Sequence, residues 1–293
     1  MKQRCILKAP AKINLHLQVG KIRQDGFHDI KSLFVMVDLY DQISMSSLKT
    51  GNRCEINGSF DCAAEDNLIY RAWEIFSKTT GTQHGVIFDI KKNIPSCAGM
   101  GGGSSDAAFA LSGLNSLFET GLTRGQLCSM GAGLGSDVPF FLSGPAAVVT
   151  GRGEYVNEIE NPKILHFVII NPELRVSTAD AYRWIDESGN TETGFLENEQ
   201  INRIYHSGIE HFTDFYNDFT PVLIGRHSAF CGVINDLKDA GAAYSNVTGS
   251  GSVVFGLFFS QKEAENACNA LKSRYKFVRK IKSLDRIPYA ILK

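Results

Sequence analysis

An α+β protein of two domains is what this sequence predicts, and three observations carry the prediction. Strand and helix patterns are mixed without the steady β-α-β alternation of a parallel sheet. A glycine-rich loop in the first half, Gly99–Gly103, joins a strand pattern to a helix pattern. Between Gly151 and Asn161 the chain turns polar and ends in Asn161-Pro162, a dipeptide that marks a boundary. The expected division is 1–155 and 156–293, and 293 residues suffice for two ordinary cores.

The elements follow in order. Ile13, Leu15, Leu17 and Val19 recur at every second residue, the period of a strand over Ile13–Val19. An Asp25-Gly26 turn leads to an apolar stretch, Ser32–Leu39. Asp66–Lys78 places Leu68, Ile69, Ala72, Ile75 and Phe76 on one helical face. In His84–Lys91, Val86, Phe88 and Ile90 alternate with Ile87, Asp89 and Lys91, a half-buried strand that Pro95 stops. A helix over 104–118 carries Ala107, Leu111, Leu114 and Phe118, and Thr123 caps a shorter one. Gly131–Phe141 reads as an extended turn and Ala146–Thr150 as a strand.

In the second half, Ile164–Ile170 is an apolar strand, with helical patterns at Thr178–Glu187 and within Glu197–Asn217. A helix ending near Ala240-Gly241 precedes strands at Tyr244–Thr248 and Val253–Phe259. Helix 261–273 and strand Phe277–Ile281 complete the pattern.

Composition narrows the function classes. A hydrophobic share of 43% with 21% charged residues is that of a globular domain. A net charge of −1 supplies no field for nucleic acid or an anionic membrane, and neither is expected as a partner. Seven scattered cysteines, none in a Cys-x-x-Cys pair, argue against a disulfide framework and a zinc site. Met1–Val19 has the character of neither a signal nor a transit peptide, and a cytoplasmic location is expected.

Residues 95–108, Pro-Ser-Cys-Ala-Gly-Met-Gly-Gly-Gly-Ser-Ser-Asp-Ala-Ala, are the most informative stretch. Gly99, Gly101, Gly102 and Gly103 let the backbone turn tightly and approach a ligand, and Ser104-Ser105 open the helix. Unpaired N–H groups and the helix dipole favour an anion there, and a nucleotide phosphate is the best guest. A plain turn needs fewer glycines. Neither Gly-x-x-x-x-Gly-Lys-Ser/Thr nor Gly-x-Gly-x-x-Gly occurs, so this is a different phosphate loop.

Phosphoryl transfer to an alcohol also needs a group for the hydroxyl proton and a cation against developing charge. Lys12 and Asn14 are two apart on a strand whose other face is apolar, which points to a site more than to a solvated sheet face. Asp137 lies among apolar residues in Leu-Gly-Ser-Asp-Val-Pro-Phe-Phe and needs a partner; it either meets a cation or caps its own turn. Thr248-Gly-Ser-Gly joins two strands, for which a tight hairpin is an adequate explanation.

Three motifs in order, Pro-Ala-Lys-Ile-Asn-Leu at 10–15, the loop at 95–108 and Thr-Gly-Ser-Gly at 248–251, resemble the GHMP small-molecule kinase superfamily over nearly the whole chain. Asp25-Gly-Phe-His28, Asp66-Asn-Leu-Ile69 and Leu134–Phe140 resemble its branch acting on a cytidylated alcohol. The resemblance implies an N-terminal ribosomal-protein-S5-like domain and a C-terminal ferredoxin-like α/β-sandwich. It implies ATP-dependent phosphorylation of the 2-hydroxyl of 4-diphosphocytidyl-2-C-methyl-D-erythritol, in the non-mevalonate route to isoprenoid precursors, with Mg²⁺. Lys12 and Asp137 match the catalytic pair. Asn14, His28 and Thr248 would contact the acceptor, with Phe27 and Tyr182 on either face of cytosine. Pro95, Gly99, Gly101–Gly103, Ser104 and Ser105 would cradle ATP, and Asn67 and Lys92 would border its adenosine. A monomer or weak homodimer is the implied state.

The chain departs from the family pattern at Ser96-Cys97-Ala98, at Met100 and at Asp106. Asp106 either faces away from the triphosphate, assists Mg²⁺ or serves only the helix dipole, so no metal ligand is assigned. The alternatives are a GHMP kinase for homoserine or mevalonate, or a nucleotide sensor without catalysis.

Overall fold

The structure is a computed structural model that describes residues 4–48, 51–60, 63, 65–160, 162–189, 194–288 and 290–292. Asn161, named above, and one of the seven cysteines, Cys62, lie outside these residues. In chain order the first elements are β1 (Arg4–Ile22), β2 (His28–Ser47), β3 (Cys54–Asn57), α1 (Leu68–Thr80), β4 (Val86–Lys91) and α2 (Gly102–Leu117). Then come α3 (Arg124–Ala132), α4 (Val138–Ser143), β5 (Ala146–Gly151), β6 (Tyr155–Glu158), β7 (His166–Asn171), α5 (Thr178–Ser188) and α6 (Asn198–Ser207). A 3₁₀ turn at Ile209–Asp214 precedes α7 (Phe219–Arg226), α8 (Ala229–Asp239), β8 (Tyr244–Val247), β9 (Val254–Phe258), α9 (Gln261–Leu271), β10 (Phe277–Lys282) and β11 (Ile291–Leu292).

The mixed class is as expected, and the strands gather into two sheets. The larger has seven strands, ordered β11-β1-β2-β4-β3, with β5 and β6 continuing from β2. Its spine is the long antiparallel pair of β1 and β2. β2 spans twenty residues, enough to take β5 along Ile30–Val35 and β4 along Gln42–Ser47. The smaller sheet is four antiparallel strands, β10-β7-β9-β8. The expected division between 155 and 156 falls within β6, which pairs with β5.

β1 is longer than its alternation suggests and changes face twice. Bulges between Pro10 and Ala11 and between Asn14 and His16 shift the register. Ala11, Ile13 and Leu15 therefore pack with Phe167, Ile169, Phe255 and Leu257 in the core between the sheets. Leu17 and Val19 instead join the core beneath the helices. The expectation that Ile13, Leu15, Leu17 and Val19 share one face is thus corrected: a bulge residue resets the two-residue period. The opposite face is not solvated either, because Lys12, Asn14, His16 and Gln18 are all buried.

α2 is apolar nearly all round and sits between the sheet and α1, α3 and α4. Small residues allow this, since a Cβ at Gly113 would lie 2.4 Å from Met45 Sδ. Gly131–Phe141, read above as an extended turn, instead ends α3 and begins α4. Pro139 stands in the first turn of α4, where its missing N–H costs nothing. Thr123 caps α3 with the reciprocal bond from Gln126. β3, β6, α7 and the two-residue β11 were not foreseen: β3 and β6 have four residues each with no buried alternation, and α7 is little over two helical turns.

Candidate active site

Strand β4, the loop at 92–101 and helix α2 build one end of a cleft of about 1090 Å³, large enough for two ligands side by side. Gly101 is the N-cap of α2 in the left-handed region, with φ of 71°, and no side chain caps the helix. The first N–H groups of a sixteen-residue helix are thus left for a ligand, and Gly101–Ser104 line the cleft. Gly99 is fixed more tightly still: φ is +73°, and a Cβ there would fall 2.0 Å from the Thr248 carbonyl oxygen. Pro95 and Asn67 line the same end, and Asn67 also caps α1 by accepting from the Ile69 N–H at 3.0 Å.

Ser105 does not reach this wall. It is fully buried, its N–H donates to the Gly101 carbonyl, and its hydroxyl has no partner among the described residues. Thr248 is likewise sealed beneath the cleft. It accepts from the Asn14 N–H at 3.0 Å, and its hydroxyl lies 3.1 Å from Asn14 Oδ1 and 3.2 Å from the Gly99 carbonyl oxygen. The contact expected between Thr248 and an acceptor is replaced by a tie between β1 and the glycine loop. Its neighbours Gly249 and Ser250 line the cleft instead.

Lys12 and Asp137 meet at the centre of the cleft. The Lys12 ammonium lies 2.5 Å from Asn14 Oδ1, 3.6 Å from Asp137 Oδ2 and 4.5 Å from the centroid of the Phe34 ring. Its backbone N–H donates to the Met100 carbonyl at 2.9 Å, which ties β1 to the glycine loop. Burial lowers the Lys12 pKa, while the Asp137 carboxylate opposes that shift. Asp137 stands at the N-cap of α4 but makes no capping bond, so of its two readings the meeting with a cation is the one this geometry has. Asn14 is positioned by donating to Ser32 Oγ at 2.9 Å.

Lys92 faces the cleft with its charge already engaged. It donates to Asp106 Oδ2 at 2.6 Å and to Asp41, whose other oxygen accepts from the Asn93 and Ile94 N–H groups. Burial pulls the ammonium down, but the two carboxylates outweigh it and hold Lys92 above its ordinary value. Asp106 is pushed up to about 7 by burial, with Lys92 opposing and Asp41 adding to the rise. Asp106 meets Lys92 through Oδ2, while its Oδ1 is buried without a partner among the described residues.

The opposite end of the cleft is aromatic. Phe27 is half exposed at the rim, with the Arg152 guanidinium 4.8 Å from its ring centroid. His28 is buried; its Nδ1–H donates to the Gly20 carbonyl at 2.8 Å, and its Nε2 lies 3.4 Å from Asp186 Oδ1. Its ring stacks on Tyr182 at 5.0 Å, and Tyr182 meets Phe219 edge to face at 4.9 Å. Burial, then the nearby Asp137 charge, raises the Tyr182 phenol. Phe34, Ser136, Arg152, Asp186 and Phe219 escaped the sequence reading although all line the cleft. Only Arg152, in a Gly-Arg-Gly turn, carries a local signal that could have found it.

Comparison with known proteins matches this geometry. Residues 67–145 match the family described as GHMP kinases N terminal domain, and 216–276 match GHMP kinases C terminal. A protein of Thermodesulfovibrio yellowstonii named 4-diphosphocytidyl-2-C-methyl-D-erythritol kinase is 36% identical, covering 89% of this chain and 92% of that one. One of the same name from Geobacter metallireducens is 37% identical over 90% of this chain and 93% of its own. A crystal structure titled 4-(cytidine 5'-diphospho)-2C-methyl-D-erythritol kinase superposes with a TM-score of 0.81 at 29% identity, over 95% of this chain and 98% of that one. A homoserine kinase from Cytophaga hutchinsonii shares the fold, with a TM-score of 0.75 at 19% identity over 99% and 98% of the two chains. With its glycine-rich loop, its two sheets and relatives matched over nine-tenths of their length, the chain belongs to the GHMP kinase family.

Proposed function

We propose that this chain transfers the γ-phosphoryl group of ATP to the 2-hydroxyl of 4-diphosphocytidyl-2-C-methyl-D-erythritol, a step of isoprenoid precursor synthesis. The observation that carries the reading is the Lys12–Asp137 pair, set between an uncapped helix N-terminus and a cluster of aromatic rings. A flat base suits the aromatic end, and homoserine or mevalonate has none to offer. In this reading 1–155 is the nucleotide-binding and catalytic domain, and 156–293 supplies Tyr182 and Phe219 to the acceptor end. A cytoplasmic monomer or weak homodimer is the setting proposed, in keeping with the unbridged thiols of Cys54, Cys97, Cys128, Cys231 and Cys268.

The N–H groups at the start of α2 hold the triphosphate, and Asn67, Pro95 and Lys92 border the nucleotide. His28 and Asn14 orient the acceptor, with cytosine against Phe27 and Tyr182. As the hydroxyl oxygen bonds to the γ-phosphorus, the bond from that phosphorus to the β,γ-bridging oxygen breaks and ADP keeps its electron pair. The hydroxyl proton passes to the Asp137 carboxylate. Lys12 balances the charge on Asp137 and on the transferring group, and its buried setting makes that charge more effective than in water.

The donor set fits Mg²⁺ carried in by the nucleotide more than a resident ion. Among the described residues no three His, Cys, Asp or Glu side chains converge, and Asp106 is engaged by Lys92. Ser104 is the loop hydroxyl that would complete the cation's shell, and the bound ion would neutralise β- and γ-phosphate charge.

Purified protein given ATP, Mg²⁺ and each of three alcohols provides the test. Phosphorylated product from the cytidylated alcohol, with little from homoserine or mevalonate, is expected. A preference for either small alcohol would contradict the acceptor assignment, and no ADP release with any of them would leave a sensor.

A further inference from the structure

Among the described residues, four lysine or arginine side chains line the cleft: Lys12, Lys92, Arg152 and Arg183. Three are closely engaged. Lys12 lies 2.5 Å from Asn14 Oδ1, Lys92 donates to Asp106 at 2.6 Å, and Arg183 donates to Asp180 at 2.7 Å. Arg152 has the loosest pairing, with its Nε 3.7 Å from Glu154 Oε1, while the other oxygen of Glu154 accepts from the Arg152 backbone N–H at 2.5 Å. Glu154 is thus spent on closing the turn, and the guanidinium remains for a ligand.

Its position says which ligand. Arg152 sits in the turn between β5 and β6. On one side its guanidinium covers the Phe27 ring at 4.8 Å. On the other, the next residue, Gly153, packs so closely that a Cβ would lie 3.2 Å from Ser136 Cβ and 3.6 Å from Asp137 Oδ1. The turn therefore spans from the ring at the acceptor's base end to the carboxylate at its hydroxyl end. A cytidine diphosphate ester carries its two phosphates between those ends. A planar guanidinium is suited to hold them by paired charge-assisted hydrogen bonds.

We infer that Arg152 is the diphosphate-binding and specificity-determining residue of the acceptor site. The inference rests on the acceptor being a cytidine diphosphate ester, as proposed above. It makes Phe27 and Arg152 one unit, the ring holding the guanidinium flat while both face the same ligand.

Calorimetric titration with cytidine and with CDP tests it, with the nucleotide loop occupied by an unreactive ATP analogue. The wild type is expected to bind CDP at least about tenfold more tightly than cytidine, the scale of a charge-assisted bond. Arg152→Gln should lose most of that preference, and Arg152→Lys should keep part of it. Lost packing against Phe27 would weaken both ligands alike, so the ratio isolates the phosphate contact. In turnover, Arg152→Gln should raise the KM for the cytidylated alcohol and leave that for ATP unchanged. A CDP preference undiminished in Arg152→Gln would overturn the inference while leaving the acceptor assignment standing. A wild type that binds neither cytidine nor CDP would overturn that assignment and the inference with it.

Discussion

The Lys12 ammonium and the Asp137 carboxylate lie 3.6 Å apart in a cleft that buries the lysine and leaves 26% of the aspartate side chain exposed. Such asymmetry has an energetic consequence. Desolvation works against the buried ammonium, which lowers its pKa, whereas Asp137 retains contact with solvent. Lys12→Met should therefore cut turnover by about 10²-fold or more, the scale of one lost electrostatic group. It should do so without lowering the melting temperature. Thermal unfolding beside steady-state kinetics checks both, and a destabilised, still active variant would contradict the assignment.

The glycine loop is constrained by contact as well as by conformation, and two substitutions separate these effects. Gly81 and Gly99 have nearly equal φ values, +71° and +73°, but nothing lies near a Cβ at Gly81, while the Thr248 carbonyl blocks one at Gly99. Gly81→Ala should cost about 1 kcal/mol from backbone strain alone. Gly99→Ala should cost clearly more and impair ATP binding. Urea unfolding of the two variants gives the comparison, and equal losses would refute the close approach.

Asp106 predicts a pH dependence. Its folded pKa of about 7 stands above the ordinary 3.8, so between these values the folded protein binds a proton that the unfolded chain has released. Stability contributed by this group is thus lost as pH rises from about 4 to about 7. Asp106→Asn removes the titration. The unfolding free energy of wild type minus variant should fall across that window, by at most about 1.4 kcal/mol per pH unit. Denaturant titrations at several pH values test this, and a constant difference would contradict it.

Cys97 should report on the nucleotide end. It is the exposed thiol among the described cysteines and lines the cleft, whereas burial pushes the Cys54 thiol up to about 12. Alkylation should slow turnover, ATP should protect, and Cys97→Ser should resist inactivation. Inactivation at the same rate with ATP present would place Cys97 away from the nucleotide.

Much of this was legible in the sequence, and the reasons are local. Elements with clean periods, such as α1 and β4, announce themselves within their own residues. The loop at 95–108 does so through glycine density. Lys12 and Asp137 were found as candidates, but their convergence needs β1 and α4 brought together, which no local pattern contains. The bulges in β1 were hidden because an apolar residue at every second position looks the same whichever core receives it. Thr248 shows the opposite limit: a polar side chain in a motif can tie the glycine loop to a neighbouring strand from beneath the cleft. Arg152 lay in a stretch whose polarity suggested only a boundary.

Single-turnover transfer of the γ-phosphoryl group to the cytidylated alcohol by Asp137→Asn is the decisive measurement. The carboxamide keeps the shape and loses the proton acceptor. A transfer rate lowered by about 10²- to 10⁴-fold, with ATP affinity nearly unchanged, is expected. Transfer at close to the wild-type rate would contradict it.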